Sequence, residues 1–229
     1  MGKFVESLNN RVEVYQAFLE KLNTDSTEAI NHMVETGEIY NDGGFVYVLK
    51  GQLDGLKSEF QSQAEQLNYR TNELIKTEKS KYFEQEKVKT VDYEMQVSNA
   101  LKFIEIEGSS INDEKAFLIL KDFMDDHEKM HLFKNVIEKQ LDPMNKDQII
   151  NFKKTFAKFN EKEALLNTFE ELESTAKDIF IRPLTKKNSS ILRGQEFISE
   201  YIPAYWDLSG FSELINLAEI VENLIPEDN

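Results

Sequence analysis

Leu53, Leu56, Phe60, Leu67 and Leu74 fall on the a and d positions of one seven-residue register, and Val88, Val91 and Met95 continue it. Apolar residues spaced by three and four place a stripe along one side of a helix, and a stripe that persists this long calls for a long helix. The register is interrupted by Gln63, Arg70, Thr77, Lys81 and Glu84, so it does not describe a strict two-stranded coiled coil. It predicts a helix over roughly residues 50–100 that packs in a bundle at its start and is more exposed through the charge-dense segment 76–90. Leu53, Leu56, Phe60, Leu67, Leu74 and Val88 are its candidate partner-binding residues.

The rest of the chain fits the same class. Four Pro and nine Gly in 229 residues are few for an all-β protein, which needs many turns. Val5, Leu8, Val12, Tyr15, Leu19 and Leu22 predict a helix over 4–22, and Asn23–Thr27 offers a break rich in N-cap residues. A short helix with Ala29, Ile30, Met33 and Val34 follows, stopping at Gly37. Ser110 and Asp113 have capping-box spacing before a helix running to Leu141, ended by Asp142-Pro143. Stretches 147–159 and 160–181 are helical, and two amphipathic helices surround Pro203 and Gly210. One segment competes with helix. Ile39-Tyr40 and Phe45–Val48 flank Asn41-Asp42-Gly43-Gly44, which reads as a small β-hairpin near 38–48 or as a helix starting directly after Gly44. Phe103–Glu107 alternates partly, but a helix continuing to Gly108 explains it as well. The expected fold is mainly α, a multi-helix bundle with one long central helix. It forms a single helical body over 1–229, with lobes at 1–107 and 108–229 if the long helix joins two parts.

Charge and composition narrow the functions. Forty-two acids against 27 bases give a formal net charge of −15, which repels nucleic acid and anionic membranes and attracts basic partners. With no Cys, disulfides and Cys-ligated metals are excluded, so any metal must use His, carboxylate or carbonyl ligands. No apolar run approaches the roughly 18 residues of a membrane span. A cytoplasmic or virion-associated protein is expected. Arg182, Lys186, Lys187 and Arg193 form a basic cluster, after which the chain carries eight acids and no base from residue 195 to its end.

One motif carries chemistry. His127-Glu128-Lys129-Met130-His131 is H-E-x-x-H. On a helix the two histidines share a face and can hold zinc, with the glutamate as general base. Over these five residues the chain resembles the zincin metallopeptidases. The resemblance implies zinc on His127 and His131, Glu128 as base, and a third ligand that Glu161 or Glu163 could supply. Asp125 and Lys129 stand where that family normally has uncharged residues, and the extended form with a third histidine is absent. Glu128 with His131 is also half of a di-iron E-x-x-H pair, but no second copy exists. No phosphate-cradling loop, dinucleotide fingerprint or nucleophile elbow is present. The leading expectation is a non-catalytic interaction or assembly protein without a cofactor, as a homo-oligomer or with a protein partner. A phage connector, scaffold or virion component would suit it. The alternatives are a zinc peptidase and an acidic DNA mimic that inhibits a DNA-binding protein.

Overall fold

A computed structural model describes residues 2–35, 44–83, 89–141, 149–181 and 208–225. These form seven α-helices and two 3-10 turns, at 108–110 and 149–151, with no strand among the described residues. The helices are α1 (Lys3–Glu35), α2 (Gly44–Phe83), α3 (Tyr93–Glu107), α4 (Asp113–Leu120), α5 (His127–Gln140), α6 (Lys153–Ala176) and α7 (Ser209–Leu224). The mainly α class is as the periodicity predicts. The chain divides into two compact units, one of Met1–Phe83 with Thr168–Asn229 and the other of Glu84–Asn167, so residue 107 falls inside the second unit.

The first unit is built on α1, α2 and α7. Phe4, Val5, Leu8, Tyr15, Leu19, Leu22 and Ile30 line the buried side of α1, as their spacing requires. Tyr15 is the aromatic centre, with ring centroids 5.7 Å from Phe60, 5.2 Å from Phe180 and 5.3 Å from Phe211. Burial pushes its hydroxyl pKa up to about 12. Two polar devices fix helix ends. The Glu222 carboxylate accepts from the backbone N–H of Gly2, Phe4 and Val5 at 2.8, 3.0 and 3.1 Å, capping α1 from α7. Asn68 donates to the Lys177 carbonyl at 2.7 Å and accepts from the Phe180 N–H at 3.3 Å, holding the turn that ends α6.

The second unit has its own core: Val97, Ala100 and Ile104 of α3, Ala116 and Leu120 of α4, Met130, Phe133 and Ile137 of α5, and Phe152, Phe156 and Phe159 around the start of α6. Asn112 caps α4 by accepting from the Lys115 N–H at 3.0 Å. Asp113 reaches across to cap α6, accepting from the N–H groups of Lys154 and Thr155, each at 2.9 Å.

Several boundaries differ from those the sequence suggests. The expected break at 23–27 does not form, and α1 runs unbroken for 33 residues. The Thr27 hydroxyl donates back to the Asn23 carbonyl at 2.7 Å, so a cap-forming residue is absorbed into the ladder. Residues 45–48 are helical, not strand, and α2 begins at Gly44, the second of the paired glycines; positions 37–43, with the expected helix stop at Gly37, lie outside the described residues. The long helix starts earlier and ends at Phe83, not near residue 100. Residues 89–92 are non-helical, and the Tyr93 N–H donates to Thr90 at 3.0 Å as α3 begins anew. The helix expected over 113–141 is two helices, separated by turns at 121–125. Conversely, the two stretches expected around 159–160 are one helix, α6. The capping box at Ser110 does not form, because Asn112 is the N-cap. Gly210 lies inside the first turn of α7 rather than between helices. The basic cluster Arg182, Lys186, Lys187 and Arg193 and the segment around Pro203 lie outside the described residues.

Candidate functional site

The H-E-x-x-H motif opens α5. Asp126 is the N-cap: its Oδ1 accepts from the Lys129 N–H at 3.1 Å, and its backbone is extended. Its Oδ2 accepts from the Tyr93 hydroxyl at 2.7 Å and pairs with Lys89 at 3.0 Å. Burial pushes the Asp126 pKa up, but the hydrogen bonds from Tyr93, the Lys129 N–H and Lys89 outweigh it, and the net shift is down. Asp126, just before His127, therefore starts a helix. That is the physical reason α4 and α5 are separate.

His127 is the first residue of α5. Its ring stacks on Phe159 of α6, with centroids 4.8 Å apart and planes 23° apart. Its Nε2 is buried and has no hydrogen-bond partner. Burial lowers its pKa, Lys162 and His131 lower it further, and Glu163 and Asp126 oppose them. His131 lies one turn on and is exposed, with its Nδ1 3.1 Å from the Asn135 amide nitrogen and its ring 6.3 Å from that of Phe159. Both histidines thus meet Phe159, on the shared face their spacing predicts.

The remaining members of a zinc site are not gathered there. Glu128 and Glu161 are exposed, and Glu163 accepts from Lys134 at 3.5 Å. Lys134 also lies over the Phe159 ring, 5.1 Å from its centroid. Among the described residues no group of three or more His, Asp or Glu side chains is placed to hold a metal ion. What the motif does show is a packing contact: His127 stacks on Phe159, and His131 meets the same ring at a tilt of 57°.

The proposed partner-binding seam of α2 lies partly inside the chain. Leu53 and Leu67 are buried, while Leu56, Phe60 and Leu74 are partly exposed. Val88 lies outside the described residues, and Val91 is fully exposed in the turn before α3.

A different surface stands out in the second unit. Helix α3 is apolar on two opposite sides. Val97, Ala100 and Ile104 face the core, while Met95, Phe103 and Ile106 are 59%, 58% and 79% exposed on the far side. Beside this second face, Leu118 of α4 is 67% exposed. Between the two helices lies an open groove of about 420 Å³, lined by Gln96, Asn99, Phe103, Leu118, Ile119 and Asp122 among others. Exposed apolar residues are more often scattered singly over a surface than grouped in this way. The sequence held a signal for this. A 15-residue helix with apolar residues all round has more apolar surface than one core contact can cover.

Comparisons with known proteins add no relative: no family model matches the chain, and no similar protein is found among curated proteins or solved structures. No helix among the described residues is long and apolar enough to cross a membrane.

Proposed function

We propose that this chain is a non-catalytic helical interaction protein, a subunit or assembly factor of a larger complex, whose contact surface is the second apolar face of α3 with the adjoining side of α4. The observation that carries this reading is the exposure of Phe103 and Leu118 in one groove, with Met95 and Ile106 also exposed on α3. None of the four belongs to the buried core of its own unit, and more than half of each is in water. Large apolar groups in such a setting favour a partner that removes them from solvent. Burying what remains exposed of Phe103 and Ile106 would contribute about 2–4 kcal/mol to association before ordering costs are counted.

The reading favours α3 and α4 over the Leu53–Leu74 seam, since Leu53 and Leu67 already serve the chain's own core. A phage connector or scaffold role, virion or cytoplasmic, remains a composition-based extension of the same reading. The DNA-mimic alternative rests on net charge alone. The zinc-peptidase alternative rests on the five-residue pattern, since the third ligand is not beside the histidines among the described residues.

The test is site-specific photo-crosslinking in the cells that make the protein, with the crosslinker at position 103 and a control at exposed position 139. The expected result is a discrete adduct from position 103 that disappears when Ile106→Ser is added, and none from position 139. Adducts that are equal from both positions, absent from both, or indifferent to Ile106→Ser overturn the reading.

A further inference from the structure

We infer that the α3–α4 groove takes a basic amphipathic helix presented by a partner protein. The inference rests on the interaction reading above and adds the chemistry of the partner. Its first support is shape. A groove between two helices, floored by Phe103, Leu118 and Ile119, matches the apolar stripe of a third helix, whose residues at i, i+3, i+4 and i+7 would fill it.

Its second support is charge. The only charged side chain lining the groove is Asp122. Residues 92–126, which build both walls, carry nine acids against the three bases Lys102, Lys115 and Lys121. Some of this charge is already engaged. Lys115 pairs with Glu107 at 2.5 Å, Glu94 with Lys129 at 3.0 Å, and Asp126 with Lys89 at 3.0 Å, while Asp113 caps α6. Glu105 of α3 and Glu114 of α4 are exposed, as is Asp122 in the turn after α4, with Lys102 and Lys121 as the neighbouring cations. The charge placed on the apolar groove is that of Asp122, within a segment that is acidic overall. A partner helix with Lys or Arg flanking its apolar stripe meets this rim with opposite charge.

The same balance argues against a second copy of this chain as the occupant. Self-association through this face would bring two acidic rims together between chains of formal charge −15 each.

The test is an NMR titration of the full chain with model peptides. One is a Leu/Lys amphipathic helix of about five turns, and the other has the same pattern with Glu in place of Lys. The expected result is saturable shift changes in the amides of residues 95–123 with the Leu/Lys peptide and none with the Leu/Glu peptide. Affinity should fall about tenfold or more in Phe103→Ser/Leu118→Ser, and should weaken as salt is raised. Asp122→Lys, which leaves the apolar floor intact, should weaken the Leu/Lys peptide as well. Four results overturn the inference: no binding, equal binding of both peptides, shifts spread over the acidic surface and indifferent to the variants, or dimerisation by sedimentation that Phe103→Ser/Leu118→Ser abolishes. If the peptides fail while position 103 still yields its specific adduct in cells, the interaction reading stands and only the basic helix is lost.

Discussion

Replacing His127 by Phe asks whether the most suggestive motif in this chain is chemistry or packing. The phenyl ring keeps the stack on Phe159 and removes the buried, unpartnered Nε2. A buried polar atom without a partner costs about 1–3 kcal/mol, so His127→Phe should stabilise the start of α5 by about 1 kcal/mol at pH 7. His127→Ala should do the opposite. It loses an aromatic contact and leaves a gap, at a cost of about 1–3 kcal/mol. The pH dependence sharpens the test. The folded pKa of His127 is depressed by burial, Lys162 and His131, below the roughly 6.5 of an unfolded histidine. As pH falls below about 6.5 the unfolded chain takes up this proton first. The wild type therefore loses stability until the folded pKa is passed, and above about 6.5 the contribution is fully present. The advantage of His127→Phe should thus grow between pH 7 and pH 5. Amide hydrogen exchange of Met130–Ile137 in the intact chain is the suitable assay, because two compact units need not unfold in one transition. If His127→Phe lowers protection in α5 at pH 7, or if its advantage is the same at both pH values, the packing account of His127 is wrong.

Glu222→Ala removes a carboxylate that accepts from three N–H groups at the start of α1, and should cost about 2 kcal/mol, measured as lost hydrogen-exchange protection at the start of α1. Gly2→Ala should act in the same direction, since a Cβ there would collide with the Glu222 carboxylate. Asp126→Asn weakens the cap of α5 and the tie to Tyr93, and should cost about 1–2 kcal/mol, seen as faster exchange in both α3 and α5. The folded pKa of Asp126 is depressed, so its stabilisation is present above about pH 4, is lost as pH falls through the folded value, and should be missing from the acid limb of Asp126→Asn. Protein purified without chelator should hold far less than one zinc per chain and be unchanged by His131→Ala; near-stoichiometric zinc lost in that variant would make His127 and His131 ligands.

The elements of this fold were easier to read than their joints. The faces of α1 and of the first half of α2 follow from apolar spacing, because a core-facing stripe must recur at the helix period. Helix ends depend on which partner a short polar side chain finds, and that is a tertiary matter. Thr27 bonds back into its own helix. Asp113, expected to close a capping box with Ser110, instead caps α6 forty residues away. Asp126, inside the helix expected to run to Leu141, starts a new one. The heptad register from Leu53 to Met95 was misleading at its far end, since position 91 is exposed in a turn and Met95 faces solvent. The motif at His127–His131 was legible as a shared face. What lies opposite that face was not, because Phe159 comes from a helix distant in sequence. The α3–α4 surface was legible only as an excess of apolar residues on one short helix. Deciding which of its two faces is buried requires the neighbouring helices.

The most direct test of the interaction account is carbene labelling of solvent-exposed side chains, performed on the purified chain and again inside the cells that make it. Met95, Phe103, Ile106 and Leu118 should label readily in the purified chain and be protected in cells, while Tyr69 and Ile220, exposed in the other unit, should label similarly in both. Equal labelling of the α3–α4 residues in both settings would contradict the claim that this face is covered by a partner.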